Sequence, residues 1–187
     1  ENRKKAAPEV ATHIETTLKS LGIKNARLRI DLKKTETYLL HGKDELELLF
    51  SANKGIAYEK LHKVASGGEL SRIMLAVKAL LAQYTSLPAI IFDEIDTGVS
   101  GAIAGNVGEI IRQMSATMQV IAITHLPQVA AKGDTHFKVY KEDGTHDTRT
   151  GIKQLDVEER IAEIAAMLGG KDSTESAVAH ARNLLSS

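Results

Sequence analysis

The chain has 187 residues, no cysteine, and 24 lysine and arginine residues against 24 aspartate and glutamate residues. The lack of cysteine excludes disulfide bonds and thiolate metal sites, and the balanced charge gives no bulk attraction to nucleic acid. With 43% hydrophobic and 26% charged residues, the composition is that of a globular protein with one good core.

The first elements predicted along the chain are a helix and a group of strands. Apolar residues three or four apart predict an amphipathic helix over residues 6–21, which Gly22 ends. The same spacing suits a coiled-coil seam. Two or three strands follow, around residues 26–32, 36–40 and 45–51. Residues 52–68, rich in glycine and small residues, are predicted to be mostly loop.

The middle of the chain alternates helices with short apolar strands. The predicted elements are a helix from Glu69 to Tyr84, a strand at 88–92, a helix near 102–115 and a strand at 118–123. This alternation is typical of a parallel sheet covered by helices on both sides. We therefore expect an α/β fold with a mostly parallel sheet.

The last third of the chain is predicted to hold a hairpin and two helices. Strands near 135–141 and 149–154 would form the hairpin, closed by Glu142-Asp143-Gly144. Two pairs, Asp156 with Glu159 and Asp172 with Glu175, have the spacing of capping boxes. Each pair predicts the start of a helix.

Three polar side chains follow the two apolar strands of the predicted parallel sheet. Asp93 and Glu94 come after the strand at 88–92, and His125 comes after the strand at 118–123. Ligands bind at the carboxyl edge of such sheets, where all three should emerge. There Asp93 could hold Mg²⁺, Glu94 could orient or deprotonate a water molecule, and His125 could bind a γ-phosphate or that water. In isolation, two solvated acids at a strand end would look the same.

The segment Ser66-Gly67-Gly68 directly precedes the predicted central helix. Backbone N–H groups at a helix start, uncovered at two glycines, make an anion site, and the serine hydroxyl adds a donor. The same three residues are also a common lead-in to a helix without any ligand. The segment by itself leaves both interpretations open.

No Gly-x-x-x-x-Gly-Lys-Ser/Thr phosphate loop occurs anywhere in the chain. Residues 169–173 resemble one superficially, but the first required glycine is replaced by Ala165 and the lysine is followed by Asp172. A glycine helix stop followed by an aspartate N-cap explains this segment better.

The motifs together resemble those of ABC-type ATPases. The segment from Ser66 to Glu69 resembles their signature motif, residues 90–94 their Walker B strand, the residues from Asp96 onward their D-loop, and His125 their switch histidine. Among these ATPases, the chain is most similar to the SMC-like proteins of bacterial DNA repair over roughly residues 20–187. The stretches that carry this similarity are residues 50–55, 64–72, 92–101, 123–131, 167–170 and 180–185.

The resemblance implies a head domain built from both ends of a long polypeptide. Residues 1–21 would be the returning end of a coiled coil, and residues 22–187 would be the C-terminal lobe of the head. The phosphate loop would come from the N-terminal half of the same head. Two heads would clamp two ATP molecules with Mg²⁺, so that this chain without its other half should not turn over ATP.

The resemblance also implies a role for each motif residue. Catalytic roles would fall to Glu94 and His125, and Mg²⁺ binding to Asp93. Contacts to the nucleotide held by the other head would come from Ser66, Gly67, Gly68 and Glu69. The dimer seam would include Asp96, Gly98 and Ser100.

The expected partners are the N-terminal half of the head, a second head and, through the full-length protein, DNA. The implied function is ATP hydrolysis in double-strand-break repair and recombination, in the bacterial cytoplasm at the nucleoid. No apolar run approaches the ~20 residues of a membrane span. One alternative is a metal-dependent phosphatase or nuclease that uses Asp93, Glu94, Asp96 and His125. Another is a non-catalytic DNA-binding module that uses the basic residues 1–34.

Overall fold

A computed structural model describes residues 1–40, 42–64, 66–93, 95–96, 98–99, 101–143, 148–170 and 174–186. Its helices are α1 (Asn2–Ser20), α2 (Leu61–Val64), α3 (Gly67–Ala82), α4 (Ala102–Ser115), α5 (Pro127–Ala130), α6 (Val157–Gly169) and α7 (Glu175–Ser186). Its strands are β1 (Arg27–Leu39), β2 (Gly42–Ser51), β3 (Glu59–Lys60), β4 (Ala89–Asp93), β5 (Gln119–Ile123), β6 (Phe137–Asp143) and β7 (Thr148–Gln154). None of the described helices has the length and apolarity needed to cross a bilayer.

The described strands form three separate sheets. The order β1-β2-β3 makes one antiparallel sheet, β4 pairs with β5 in parallel, and β6 pairs with β7 in antiparallel fashion. A parallel pair is present as predicted, but the prediction that the sheet is mostly parallel is wrong, because β4 and β5 are the only parallel pair in the described ranges. Short turns allow the antiparallel pairs, whereas β4 and β5 need the crossover helix α4.

The predicted N-terminal helix is confirmed and is longer than expected. It begins at Asn2 rather than at residue 6, and its apolar stripe of Ala11, Ile14 and Leu18 is buried. The chain then turns at Gly22, whose φ of +87° lies in the left-handed region. A Cβ there would lie 2.5 Å from the end of the Ile103 side chain, so any other residue would need Ile103 to move and would adopt a strained backbone.

The first two predicted strands are one continuous strand. The predicted strands 26–32 and 36–40 both overlap β1 and exceed it by one residue at each end, and β1 is paired with β2 in register from Arg27 to Lys34. Inside the predicted loop 52–68, the structure places the short elements β3 and α2. The cross-strand Glu47 carboxylate lies 2.9 Å from Lys33 Nζ and 2.5 Å from Lys60 Nζ. Hydrogen bonds from these ammonium groups lower the pKa of Glu47 to about 2.

The C-terminal elements were predicted with mixed success. The hairpin is present, but Glu142 and Asp143 belong to β6 and do not close the turn, and Gly144 lies outside the described residues. These two residues continue the ladder, opposite Arg149 and Thr148.

One of the two predicted capping boxes is confirmed. At α6, Glu159 N donates to Asp156 Oδ1 at 2.9 Å. The second predicted N-cap, Asp172, lies outside the described residues. The last helix begins at Glu175, and there the Ala177 N–H donates to Thr174 Oγ1 at 3.4 Å. Thr174 therefore provides the capping oxygen that we had assigned to Asp172.

Helix α3 connects two of the three hydrophobic clusters. On one side Ile73 packs with α1 and the first sheet, in a cluster that includes Leu18 and Phe50. On the other side Leu75 packs with β4 and α4, in a cluster that includes Phe92 and Val107. The third cluster lies mainly between α6 and α7 and is built on Ile161, Ile164, Ala165 and Ala181. The motif-bearing helix is therefore fixed to two parts of the fold at once.

One face of the parallel pair is apolar and uncovered. Alternate strand residues point away from the core, and Ile91, Ile121 and Ile123 are 62%, 45% and 55% exposed. The opposite face, with Phe92, packs into the cluster on α3 and α4. Contiguous apolar surface is commonly an interface.

Replacing Leu18 with alanine tests whether α1 is an integral part of the core. Leu18 is fully buried, so we expect the free energy of unfolding to fall by about 2–5 kcal/mol. Leu40→Ala, at a nearly fully exposed position, is the matched control and should change it by less than about 0.5 kcal/mol. Urea denaturation of both variants measures the difference, and equal stabilities would show that α1 does not pack as described.

Candidate functional site

The carboxyl ends of β4 and β5 place Asp93 and His125 at the same edge. In the parallel register Asp93 is opposite Ile123, so Thr124 and His125 leave the sheet beside Asp93. This confirms the predicted convergence of the two strand ends. Asp93 is exposed, and no hydrogen bond or ion pair from a described residue engages its carboxylate. The predicted catalytic residue Glu94 lies outside the described residues.

Asp96 is buried directly behind His125. Its side chain has no exposed area, whereas the His125 side chain is 73% exposed. The Asp96 carboxylate accepts hydrogen bonds from the Thr124 hydroxyl and, at 3.1 Å, from the His125 backbone N–H. Its Oδ2 atom also lies 3.3 Å from His125 Nδ1. In this chain the Asp96 side chain therefore faces the histidine from the inside, although the resemblance assigned it to a dimer seam.

Ser66 begins α3 as part of a capping box. Its N–H and its hydroxyl both donate to Glu69 Oε2 at 2.9 Å, and Glu69 N donates back to Ser66 Oγ at 3.3 Å. The helix begins at Gly67, two residues before the predicted start at Glu69. Two donors of this segment, the Ser66 N–H and the Ser66 hydroxyl, are thus satisfied by a carboxylate of the same chain. An incoming anion has to displace Glu69 from them.

The signature segment is in contact with the loop that follows β4. Arg72 on α3 donates from Nη1 to the Gly98 carbonyl oxygen at 3.5 Å. A Cβ built on Gly98 would lie 3.9 Å from the Gly68 Cα atom, and the Gly98 φ of +71° favours glycine. The predicted seam residue Ser100 lies outside the described residues. The loop after β4 therefore joins the signature segment on one side to His125 on the other.

The structure thus brings the predicted residues together in two groups. Asp93, Asp96 and His125 form one, and Ser66 to Glu69 with Gly98 form the other. Sequence reasoning assigned no role to Thr124 and Arg72, although both lie inside the motif stretches. Their residue types did not indicate a role, because a threonine before a histidine and an arginine on a helix are both common. Only the fold shows what these two side chains contact.

The donor set at the β4 edge suits Mg²⁺ as one part of a larger site. Asp93 provides an exposed carboxylate, and Mg²⁺ prefers oxygen ligands and often takes one or two carboxylates with phosphate oxygens. In the described part of the chain, no group of three or more histidine, aspartate or glutamate side chains is arranged to hold a metal ion. The residues fit a metal that also binds a nucleotide.

No family model matches the chain, but its sequence aligns with known proteins over nearly all of its length. It is 40% identical over 96% of its residues to DNA repair protein RecN of Rickettsia bellii. It is 39% identical over 98% to the RecN proteins of Halalkalibacterium halodurans and of Vibrio cholerae. The chain is similar to RecN. It spans about a third of the length of these relatives, 33% in each case. The resemblance inferred from the motifs is thereby confirmed.

Solved SMC head domains share the fold of this RecN-like chain. The SMC head with a coiled coil and joint from Pyrococcus yayanosii is 23% identical, with a TM-score of 0.67 over 87% of this chain and 29% of that chain. The SMC head with an extended coiled coil from Pyrococcus furiosus, bound to the C-terminal domain of ScpA, is 23% identical, with a TM-score of 0.63 over 83% and 36%. The fold is that of an α/β SMC ATPase head, as the sequence predicted.

Replacing Glu69 with glutamine tests whether the capping carboxylate blocks the anion site. Glutamine also serves in a capping box, so the helix should be retained. Two unit charges about 4 Å apart repel by about 1 kcal/mol in water, so we expect sulfate to bind about fivefold more tightly. The amide NMR shifts of Gly67 and Gly68 during a sulfate titration measure this affinity.

The matched control is Glu159→Gln, the same change in the capping box of α6. It should leave the affinity of the Gly67 and Gly68 amides for sulfate unchanged. If Glu69→Gln binds sulfate no better than the unchanged chain, Glu69 does not hinder anion binding at the start of α3.

Proposed function

We propose that this chain is the C-terminal part of an SMC-like ATPase head that hydrolyses ATP in DNA double-strand-break repair and recombination. The main support is the convergence of Asp93 and His125 at the carboxyl edge of a parallel strand pair. The glycine-rich start of α3 contacts the loop between them. Similarity to RecN along almost the whole chain supports the repair function.

The division of the chain follows from the same proposal. Residues 1–21 form the end of a coiled coil, and residues 22–187 form the C-terminal lobe. The first nine residues support this, because most of their side chains are exposed while the second half of α1 packs into the core. An amphipathic helix whose first turns lie free of the core is able to continue into a partner helix.

The phosphate loop that this chain lacks is supplied by the N-terminal half of the head. The uncovered apolar face of Ile91, Ile121 and Ile123 supports this, because it lies on the strands that carry the site. A second half packed on this face would cover the exposed isoleucines. It would also bring the nucleotide phosphates held by its phosphate loop to the edge at Asp93. ATP and Mg²⁺ are then bound by both halves together.

Each motif residue has a defined task in this mechanism. The Asp93 carboxylate binds Mg²⁺, which when bound neutralises charge on the phosphates. Glu94 orients and deprotonates the attacking water, and His125 contacts that water or the γ-phosphate. The Ser66–Glu69 segment contacts ATP held by a second head, after the Glu69 carboxylate leaves the Ser66 donors. Positioning and charge stabilisation supply most of the catalysis, so one half alone does not turn over.

Head dimerisation driven by ATP couples this site to DNA. The fold is also similar, with a TM-score of 0.58, to that of an SMC ATPase for which ATP-driven dimerization and DNA stimulated activation are known. For this chain, we infer a homodimer of heads with Gly98 and Ser100 at the seam, and DNA binding through the full-length protein. The reaction takes place in the bacterial cytoplasm, at the nucleoid.

ATP turnover by this chain, before and after addition of the N-terminal half, tests the proposal. We expect no turnover by the chain alone, turnover by the mixture, and a loss of at least roughly a hundredfold in the mixture with Glu94→Gln, because removing one such group commonly costs 10²–10⁴-fold. Glu142→Gln on β6 is the control and should be as active as the unchanged mixture.

Two results would favour the alternative functions. Hydrolysis of a phosphate ester by the chain alone with Mg²⁺ or Mn²⁺ would indicate a metal-dependent phosphatase or nuclease. Strong, salt-sensitive DNA binding that does not respond to ATP would indicate a non-catalytic DNA-binding module.

A charge on the apolar face tests whether it is the docking surface for the other half. We expect the chain alone to self-associate through this face, and Ile121→Lys to be monomeric and unable to bind the N-terminal half. Ile152→Lys, at a strand residue that is 68% exposed on β7, is the matched control and should behave like the unchanged chain. Size-exclusion chromatography with light scattering measures both properties. A clean monomer of the unchanged chain would contradict self-association.

A further inference from the structure

Asp96 is the only charged side chain that is buried among the described residues. Burying a carboxylate is costly unless donors compensate it, so a buried acid needs a specific set of partners. Among the described residues, the partners of the Asp96 carboxylate come from Thr124 and His125, which follow β5, and all of them are on Oδ2. The resemblance assigned Asp96 to the dimer seam and predicted no interaction between its carboxylate and His125.

The contacts converge on a single oxygen atom. Asp96 Oδ2 accepts from the Thr124 hydroxyl and from the His125 backbone N–H, and His125 Nδ1 lies 3.3 Å away. The Thr124 hydroxyl oxygen in turn accepts from Leu126 N at 3.0 Å, which orients it toward Asp96. The backbone N–H of His125 is therefore hydrogen-bonded to the same carboxylate oxygen that its ring nitrogen Nδ1 faces.

We propose that Asp96 is the positioning residue for His125, and that it holds the imidazole as the Nδ1–H tautomer with Nε2 turned toward the substrate. A carboxylate only accepts hydrogen bonds, so the nitrogen that faces it must carry the proton. In the neutral ring, Nε2 is then an acceptor for the attacking water. This inference rests on the proposed function for its substrate.

The exposure of the histidine explains why such a device is needed. The His125 side chain is 73% exposed, so packing alone does not fix its rotamer. Asp96 lies on the loop after β4, two residues before Gly98, which contacts α3 through Arg72. The orientation of the imidazole is thus tied to the segment that meets the second head.

The tautomer of His125 is the first test, and it does not depend on turnover. In the complete head with ¹⁵N-labelled histidine, we expect the Nδ1–H form of His125 to dominate, with the signal assigned by its loss in His125→Gln. Asp96→Asn should shift the ring toward the Nε2–H form that prevails for free histidine. A free-histidine pattern in the unchanged protein, or no change in Asp96→Asn, would overturn the proposal.

A double-mutant cycle in kcat is the second test. Misplacing a catalytic group by about 1 Å costs roughly 10²-fold, so we expect Asp96→Asn to lower kcat by about tenfold to a hundredfold with KM nearly unchanged. In the His125→Gln background, the same change should have no further effect, because Asp96 acts through the histidine. A full additional loss in that background would show a structural role only.

Thr124 provides a variant pair if Asp96→Asn fails to fold. Thr124→Val removes the hydroxyl at constant shape and should lower both kcat and the fraction of His125 in the Nδ1–H form. Thr124→Ser keeps the hydroxyl and should leave both quantities unchanged. Equal behaviour of the two variants would contradict the proposal. If His125→Gln itself leaves kcat unchanged, the proposed catalytic function fails, while the tautomer measurement still decides the role of Asp96.

Discussion

The parallel pairing of β4 with β5 is the constraint on which the rest of the site depends. Its register sets Asp93 opposite Ile123, and both strands therefore release their following loops at one edge. The two loops are hydrogen-bonded to each other, because the Asp96 carboxylate accepts from the Thr124 hydroxyl and from the His125 backbone N–H. A shift of one residue in this register would turn Asp93 to the opposite face and separate these groups.

Helix α3 carries this local arrangement into the rest of the fold. Its residues Ile73 and Leu75 enter two different hydrophobic clusters, so the helix cannot shift against one without disturbing the other. Its N-terminus carries the capping box of Ser66, and Arg72, less than two turns later, contacts the loop after β4. The start of this helix is therefore in direct contact with the loop that carries Asp96.

The same strands that organise the site leave it incomplete. Ile91, Ile121 and Ile123 face outward from β4 and β5, while the donors of Ser66 are satisfied internally by Glu69. Both features agree with the proposed function, in which the apolar face would bind a second half of the head and a phosphate would replace the Glu69 carboxylate at Ser66. The chain spans a third of the length of its RecN relatives, and this agrees with such a division.

The sequence determined the local elements and the chemical groups. Helical periodicity placed α1 and α3, the apolar runs placed β4 and β5, and the spacing of Asp156 and Glu159 placed the start of α6, because these signals depend on residues close together in the chain. The convergence of Asp93 and His125 also followed, since parallel strands end at a common edge.

Tertiary structure alone decided which groups meet at the site. That the two predicted strands before residue 40 form one strand depends on pairing with β2, which local propensity does not contain. The burial of Asp96 against Thr124 and His125, and the contact of Arg72 with Gly98, join residues 26 to 29 positions apart. Such contacts depend on the packing of whole elements, so the sequence named the catalytic candidates while only the fold showed what holds them in place.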